Sequence, residues 1–173
     1  MPRDRKKQPD LLPGELRADE LAALAHRRHA ATPAYHQALL DLAERLLHEF
    51  DQKPTLAIIV AQTALELATA LAIDSAITKK GAEYLLPWIR ARLRNTNLAN
   101  EVVRDLYEAL TGDKIPKGIW DQVRHHNTLR NQVIHAGAIA DRDDARDSID
   151  AVSAAIAYLE SVRTRADQHG GKP

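Results

Sequence analysis

The chain has 173 residues, 24 basic and 24 acidic side chains and no cysteine. That length suits one domain with a sizeable core. The composition excludes a disulfide framework, thiolate chemistry and the strongly basic balance of many nucleic-acid binders. Apolar residues make up 45% of the chain but aromatics only 4%. Ala and Leu therefore carry the hydrophobicity, which favours helix over strand.

Residues 1–13 are charged, contain Pro2, Pro9 and Pro13, and read as a disordered basic tail built on Arg3, Arg5, Lys6 and Lys7. The charged N-terminus lacks the apolar stretch of a signal peptide, and the expected location is cytoplasmic. A helical domain is expected over 14–166, with its core at about 32–165 and a frayed tail at 167–173. A short helix is predicted from Glu15 to His29. Thr32-Pro33 then resembles an N-cap followed by proline at the first helical position. Tyr35, Leu39, Leu42, Leu46 and Phe50 recur at three- and four-residue spacing and predict an amphipathic helix.

Pro54 starts another helix, from Thr55 to about Asp74, that is apolar nearly all round and belongs at the centre of a bundle. Its stretch Leu56 to Ile73 is a membrane candidate by hydropathy. Gln62, Thr63, Glu66 and Thr69 interrupt it, and a carboxylate in mid-span is costly in a bilayer, so no membrane association is expected. A further helix is predicted over Ala82 to Arg94, with Leu85, Leu86, Ile89 and Leu93 inward. Around it Lys79, Lys80, Arg90, Arg92 and Arg94 face one acid, Glu83. This patch is either a solvated face or a groove for an RNA backbone.

The next helix runs from about Leu98 to Leu110 and is stopped by Gly112. Pro116 begins a helix ending near His135, with Gly137 at the C′ position. Asp141 to Asp144 place acids at the start of the last helix, as its dipole favours. Ala145, Ile149, Val152, Ile156 and Leu159 form its apolar stripe. No strand and no internal repeat is expected.

The helix after Pro116 carries the chemistry. At ~100° per residue, Ile119, Trp120, Val123, Leu129, Val133 and Ile134 fall on one half of its surface. Arg130 and His126 fall near the middle of that arc, and Asn131 at its edge. A buried arginine needs a partner. The chosen candidate is Glu66, which shares a polar line with Gln62 and Thr69 within ~60° on the central helix. His135 lies ~140° from Arg130 and about 7.5 Å further along the axis. A helix C-terminus favours the imidazolium, which suits a group that passes protons near neutral pH. An arginine, an amide and a histidine are together enough to bind a phosphate and move a proton.

Arg130-Asn131-x-x-x-His135, late in an all-helical domain and followed by Ala136-Gly137, resembles the motif of the HEPN superfamily. Leu129 before the motif, Pro116 and Trp120 at the opening of its helix, and Ala61-Gln62-Thr63-Ala64-Leu65-Glu66 on the central helix add to the likeness, which covers about Thr32 to Arg165. The resemblance implies a compact all-α bundle and a homodimer in which two motif helices form one composite cleft. It implies a metal-independent endoribonuclease of toxin–antitoxin, abortive-infection or phage-defence type. Carried over, Arg130 would hold the scissile phosphate and His135 would act as acid or base on the ribose 2′-hydroxyl. Asn131 would orient the histidine or the phosphate. Glu66 and Gln62 are added here as supporting residues. RNA is the expected substrate, an antitoxin or regulatory protein the expected further partner, and no cofactor is expected.

Other chemistries find less in the chain. His26 and His29, or His125, His126 and His135, lack an obvious further ligand for a metal. Ser75, Ser148, Ser153 and Ser161 sit in no nucleophile elbow, and no phosphate loop is present. The main alternative is a catalytically inactive helical dimer of the same type, acting as a binding or regulatory module.

Overall fold

The structure is a computed structural model that describes residues 34–48, 53–93 and 95–169. The expected basic tail, the helix at Glu15 to His29, His26, His29 and the Thr32-Pro33 cap lie outside the described residues, as do Phe50 and Arg94. Among the described residues the fold is all-α. Six helices follow in order: α1 (Tyr35–His48), α2 (Pro54–Lys79), α3 (Leu86–Arg92), α4 (Glu101–Thr111), α5 (Lys117–Ala136) and α6 (Arg142–His169).

Helix α2 is the axis. Its inward face is largely alanine (Ala57, Ala61, Ala64, Ala68, Ala72 and Ala76), interleaved with Ile58, Leu65, Ile73 and Ile77. Short side chains let neighbouring helices approach closely, and the branched ones fill the gaps between them. Helices α1 and α6 pack most extensively on α2, and α5 packs on α6. By length and composition α2 could cross a membrane, yet it lies here inside the bundle. It also runs a full turn beyond the expected end at Asp74, to Lys79.

The expected stripe of α1 is rotated. Leu46 is buried and Leu39 packs against the core as expected, but Tyr35 and Leu42 face solvent, and His36, Leu40, Ala43 and Leu47 are buried. The cause is His36, a polar residue that turns inward because its Nε2 meets Glu160 Oε1 of α6 at 2.8 Å. The last helix matches expectation: Ala145, Ile149, Val152, Ile156 and Leu159 are all buried. Its start is fixed by a reciprocal cap. The Asp144 amide donates to Asp141 Oδ1 at 2.8 Å, and the Asp141 amide donates to Asp144 Oδ2 at 3.3 Å.

The region after α2 is shorter and looser than one helix over Ala82 to Arg94. A single 3-10 turn, Glu83–Leu85, precedes α3, and Pro87 sits in the first turn of α3. Ile89 is buried, but Leu85 is exposed. The chain then descends along α2. Arg90 pairs with Asp74, and Thr96 Oγ1 donates to the Glu66 carbonyl at 2.8 Å. Asn97 Nδ2 donates to Asn127 Oδ1 of α5 at 2.6 Å. Helix α4 opens with Asn100, whose side chain accepts from the Val102 amide, and closes at Gly112. Arg104 of α4 lies over the Trp120 ring of α5, 4.6 Å from its centroid.

Candidate functional site

Four side chains from three helices form a chain of hydrogen bonds through the core. Gln62 of α2 donates from Nε2 to Glu66 Oε1 at 2.6 Å. Its carbonyl oxygen therefore faces His126 of α5, 2.9 Å from Nε2. A carbonyl only accepts, so His126 carries its proton on Nε2. The bare Nδ1 then accepts from the Ser148 hydroxyl of α6. His126 is 1% exposed. Burial, then the nearby charge of Arg130 and that of His125, lowers its pKa to about 4. His126 is thus a neutral imidazole at physiological pH, with both nitrogens engaged.

Arg130 stands one turn further along α5, on the same side of the helix. It is partly buried. Its Nη1 donates to Asn131 Oδ1 at 3.0 Å, while its Nε is buried and has no partner. Among the described residues no carboxylate pairs with it. The expected ion pair with Glu66 is absent; that carboxylate accepts instead from the Gln62 amide. Thr69, the third member of the polar line, returns its hydroxyl to the Leu65 carbonyl within α2. A partly buried guanidinium with an orphaned nitrogen and no counter-ion is energetically unfavourable alone and attracts an anion.

His135 is exposed in the last turn of α5. Gly137 ends the helix in the left-handed region at φ 64°, and the Ala138 amide returns to the Gln132 carbonyl at 3.2 Å. Ile134, expected inward, is 40% exposed, and Ile139 beyond the helix is also exposed. Within the chain Arg130 and His135 leave the helix ~140° apart. Two cavities lie elsewhere. One, of about 390 Å³, sits where α2, α4 and α6 end, beside Lys80, Leu110 and Arg163. The other, of about 680 Å³, is an open groove between α5 and α6 with Asp121, His125, Asp147 and Asp150 on its walls.

The expected cationic patch is only partly free. Lys79 Nζ donates to the Arg163 carbonyl at 2.8 Å, and Arg90 pairs with Asp74. Lys80 and Arg92 are exposed. Among the described residues no group of three or more His, Asp or Glu is placed to hold a metal ion. The His126 hub and its partner Ser148 were missed by sequence reasoning. Their signal was present, since Ser148 interrupts the stripe between Ala145 and Ile149, and His126 stands one turn before Arg130 on the buried arc. Comparison with protein-family models, with curated proteins and with solved structures gives no match for the chain.

Proposed function

We propose that this chain is a metal-independent endoribonuclease of the HEPN type, working as a two-fold homodimer. The observation that carries the reading is Arg130: a partly buried guanidinium that no carboxylate among the described residues neutralises, with a buried Nε lacking a partner. A phosphodiester supplies the missing charge. Asn131 holds Nη1 and so orients the guanidinium toward the phosphate rather than toward the histidine. Two copies of the α5 end, packed through surfaces that include Ile134 and Ile139, would set the Arg130 of each protomer near the exposed His135 of its partner.

In the reaction, one imidazole takes the proton of a ribose 2′-hydroxyl. The oxygen attacks the adjacent phosphorus, and Arg130 stabilises the extra negative charge of the pentavalent species. The bond to the 5′-oxygen breaks, and the leaving oxygen takes a proton from a second imidazole. The products are a 2′,3′-cyclic phosphate and a free 5′-hydroxyl. A defence or toxin–antitoxin setting, a cytoplasmic location and an antitoxin partner go with this proposal.

The second reading, an inactive helical dimer acting as a binding or regulatory module, is favoured by the separate directions of Arg130 and His135 within one protomer. Labelled single-stranded RNA in the presence of chelator separates the two. The enzyme cuts it, and Arg130→Ala and His135→Ala each lower the rate by about a hundredfold or more. Intact RNA with the unsubstituted protein, across several RNA classes, overturns the nuclease. A light-scattering mass of one chain at micromolar concentration removes the composite cleft.

A further inference from the structure

In a chain so poor in aromatics, two of them stand in solvent beside the cationic patch. Tyr84 is 78% exposed and Trp88 60% exposed. They lie four positions apart, across the junction of the 3-10 turn and α3. The Arg92 guanidinium sits over the Trp88 ring, 5.6 Å from its centroid. Lys80 and Arg90 are exposed around them, against the acids Glu83 and Asp74. A core-packing role is excluded by this exposure. Arg92 covers one face of Trp88 and leaves the other open, and flat rings with cations beside them are the composition that binds unpaired bases, with the rings stacking and the cations following the phosphates.

The position adds to the chemistry. From α3 the chain descends along α2, pinned in turn at Asp74, Glu66 and Asn127. Asp74 and Glu66 are about 12 Å apart along α2, and Arg130 lies one turn beyond Asn127. The aromatic face is therefore within reach of the motif end for a short single strand.

We infer that Tyr84 and Trp88 form a base-stacking platform for single-stranded RNA, with Lys80 and Arg92 as its phosphate contacts. As the substrate-holding part of the proposed nuclease this rests on that reading; as a binding site it stands on the α3 face alone. Stacking needs unpaired bases, so the platform selects single strands over duplex.

The test is a fluorescence titration with a labelled single-stranded oligouridine, in a His135→Ala background so that binding is read without cleavage. Trp88→Ala and Tyr84→Ala each weaken binding by about tenfold. Trp88→Phe retains most of the affinity, whereas Trp88→Leu behaves like the alanine variant. In a Trp120→Phe background, where Trp88 is the one remaining indole, the oligouridine quenches its emission and an RNA duplex of equal length does not. Unchanged binding by Trp88→Ala, equal binding by the Leu and Phe variants, or no quenching overturns the platform. So does quenching by anionic lipid vesicles without quenching by oligouridine, which would make the face a membrane contact. Quenching and binding without any cleavage by the unsubstituted protein keeps the platform and removes the nuclease. Cleavage with unchanged KM in Trp88→Ala does the reverse.

Discussion

The middle and the end of α5 treat polar side chains in opposite ways. At His126 both ring nitrogens have partners, Gln62 on one side and Ser148 on the other, and burial holds the imidazole neutral. One turn later Arg130 shares the same side of the helix but keeps a buried Nε without a partner, and no carboxylate among the described residues pairs with it. One turn after that, His135 stands in solvent. Polarity on a buried arc is therefore not itself a mark of function. His36 Nδ1 and the Tyr107 hydroxyl are also buried without a partner, so what sets Arg130 apart is that its unpartnered nitrogen belongs to a charged group.

The largest expected effect tests the two residues against each other. Arg130→Ala should abolish RNA cleavage, a loss of about a hundredfold or more, while leaving stability within about 1 kcal/mol. No ion pair is broken by that change, and an unfavourable buried charge is removed. His126→Ala should do the reverse at the level of the fold. It opens a cavity and strands both the Gln62 carbonyl and the Ser148 hydroxyl, costing about 3 kcal/mol in urea unfolding. If Arg130→Ala unfolds the protein and His126→Ala does not, the contrast between closed and open ends is wrong.

Acid sharpens the same contrast. The unfolded chain takes up a proton at an ordinary histidine near pH 6.5, but folded His126 does so only near 4. Between these values the unfolded state binds more protons, so stability rises with pH and is lost as pH falls through the window. The full effect is about 3 kcal/mol. Unfolding measured at pH 7 and at pH 4.5 should show most of that loss in the unsubstituted protein, and His126→Asn should lack this part of the slope. Ser148→Ala is milder, costing about 2 kcal/mol, because it leaves Nδ1 buried without its donor.

How much of this was legible in the sequence depended on which neighbour each polar residue found. The stripe of α6 was readable because Ala145, Ile149, Val152, Ile156 and Leu159 are apolar and buried throughout. Helix boundaries at Pro54, Gly112, Pro116 and Gly137 were readable because proline and glycine act through their own backbones. The face of α1 was misread because periodicity counts His36 as outward, whereas a carboxylate more than a hundred residues away draws it in. Ile134 was misplaced because an apolar arc says nothing of where the covering helices stop. The candidate site was half legible. Arg130, Asn131 and His135 could be picked by type and spacing, but a helical wheel cannot show that Glu66 is met by Gln62 and not by Arg130.

That last point yields the smallest expected effect, and it bears on what Glu66 does. If the carboxylate only receives the Gln62 amide, an uncharged acceptor of the same shape serves nearly as well. Glu66→Gln then keeps Oε1 in place, loses the charge-assisted part of one hydrogen bond, and lowers stability by under about 1 kcal/mol. RNA cleavage should stay within about twofold, since no ion pair to Arg130 is lost. A large fall in cleavage with stability intact would mean that the Glu66 charge acts on Arg130 without a direct contact, and the open end of α5 would then begin a full turn earlier than Arg130.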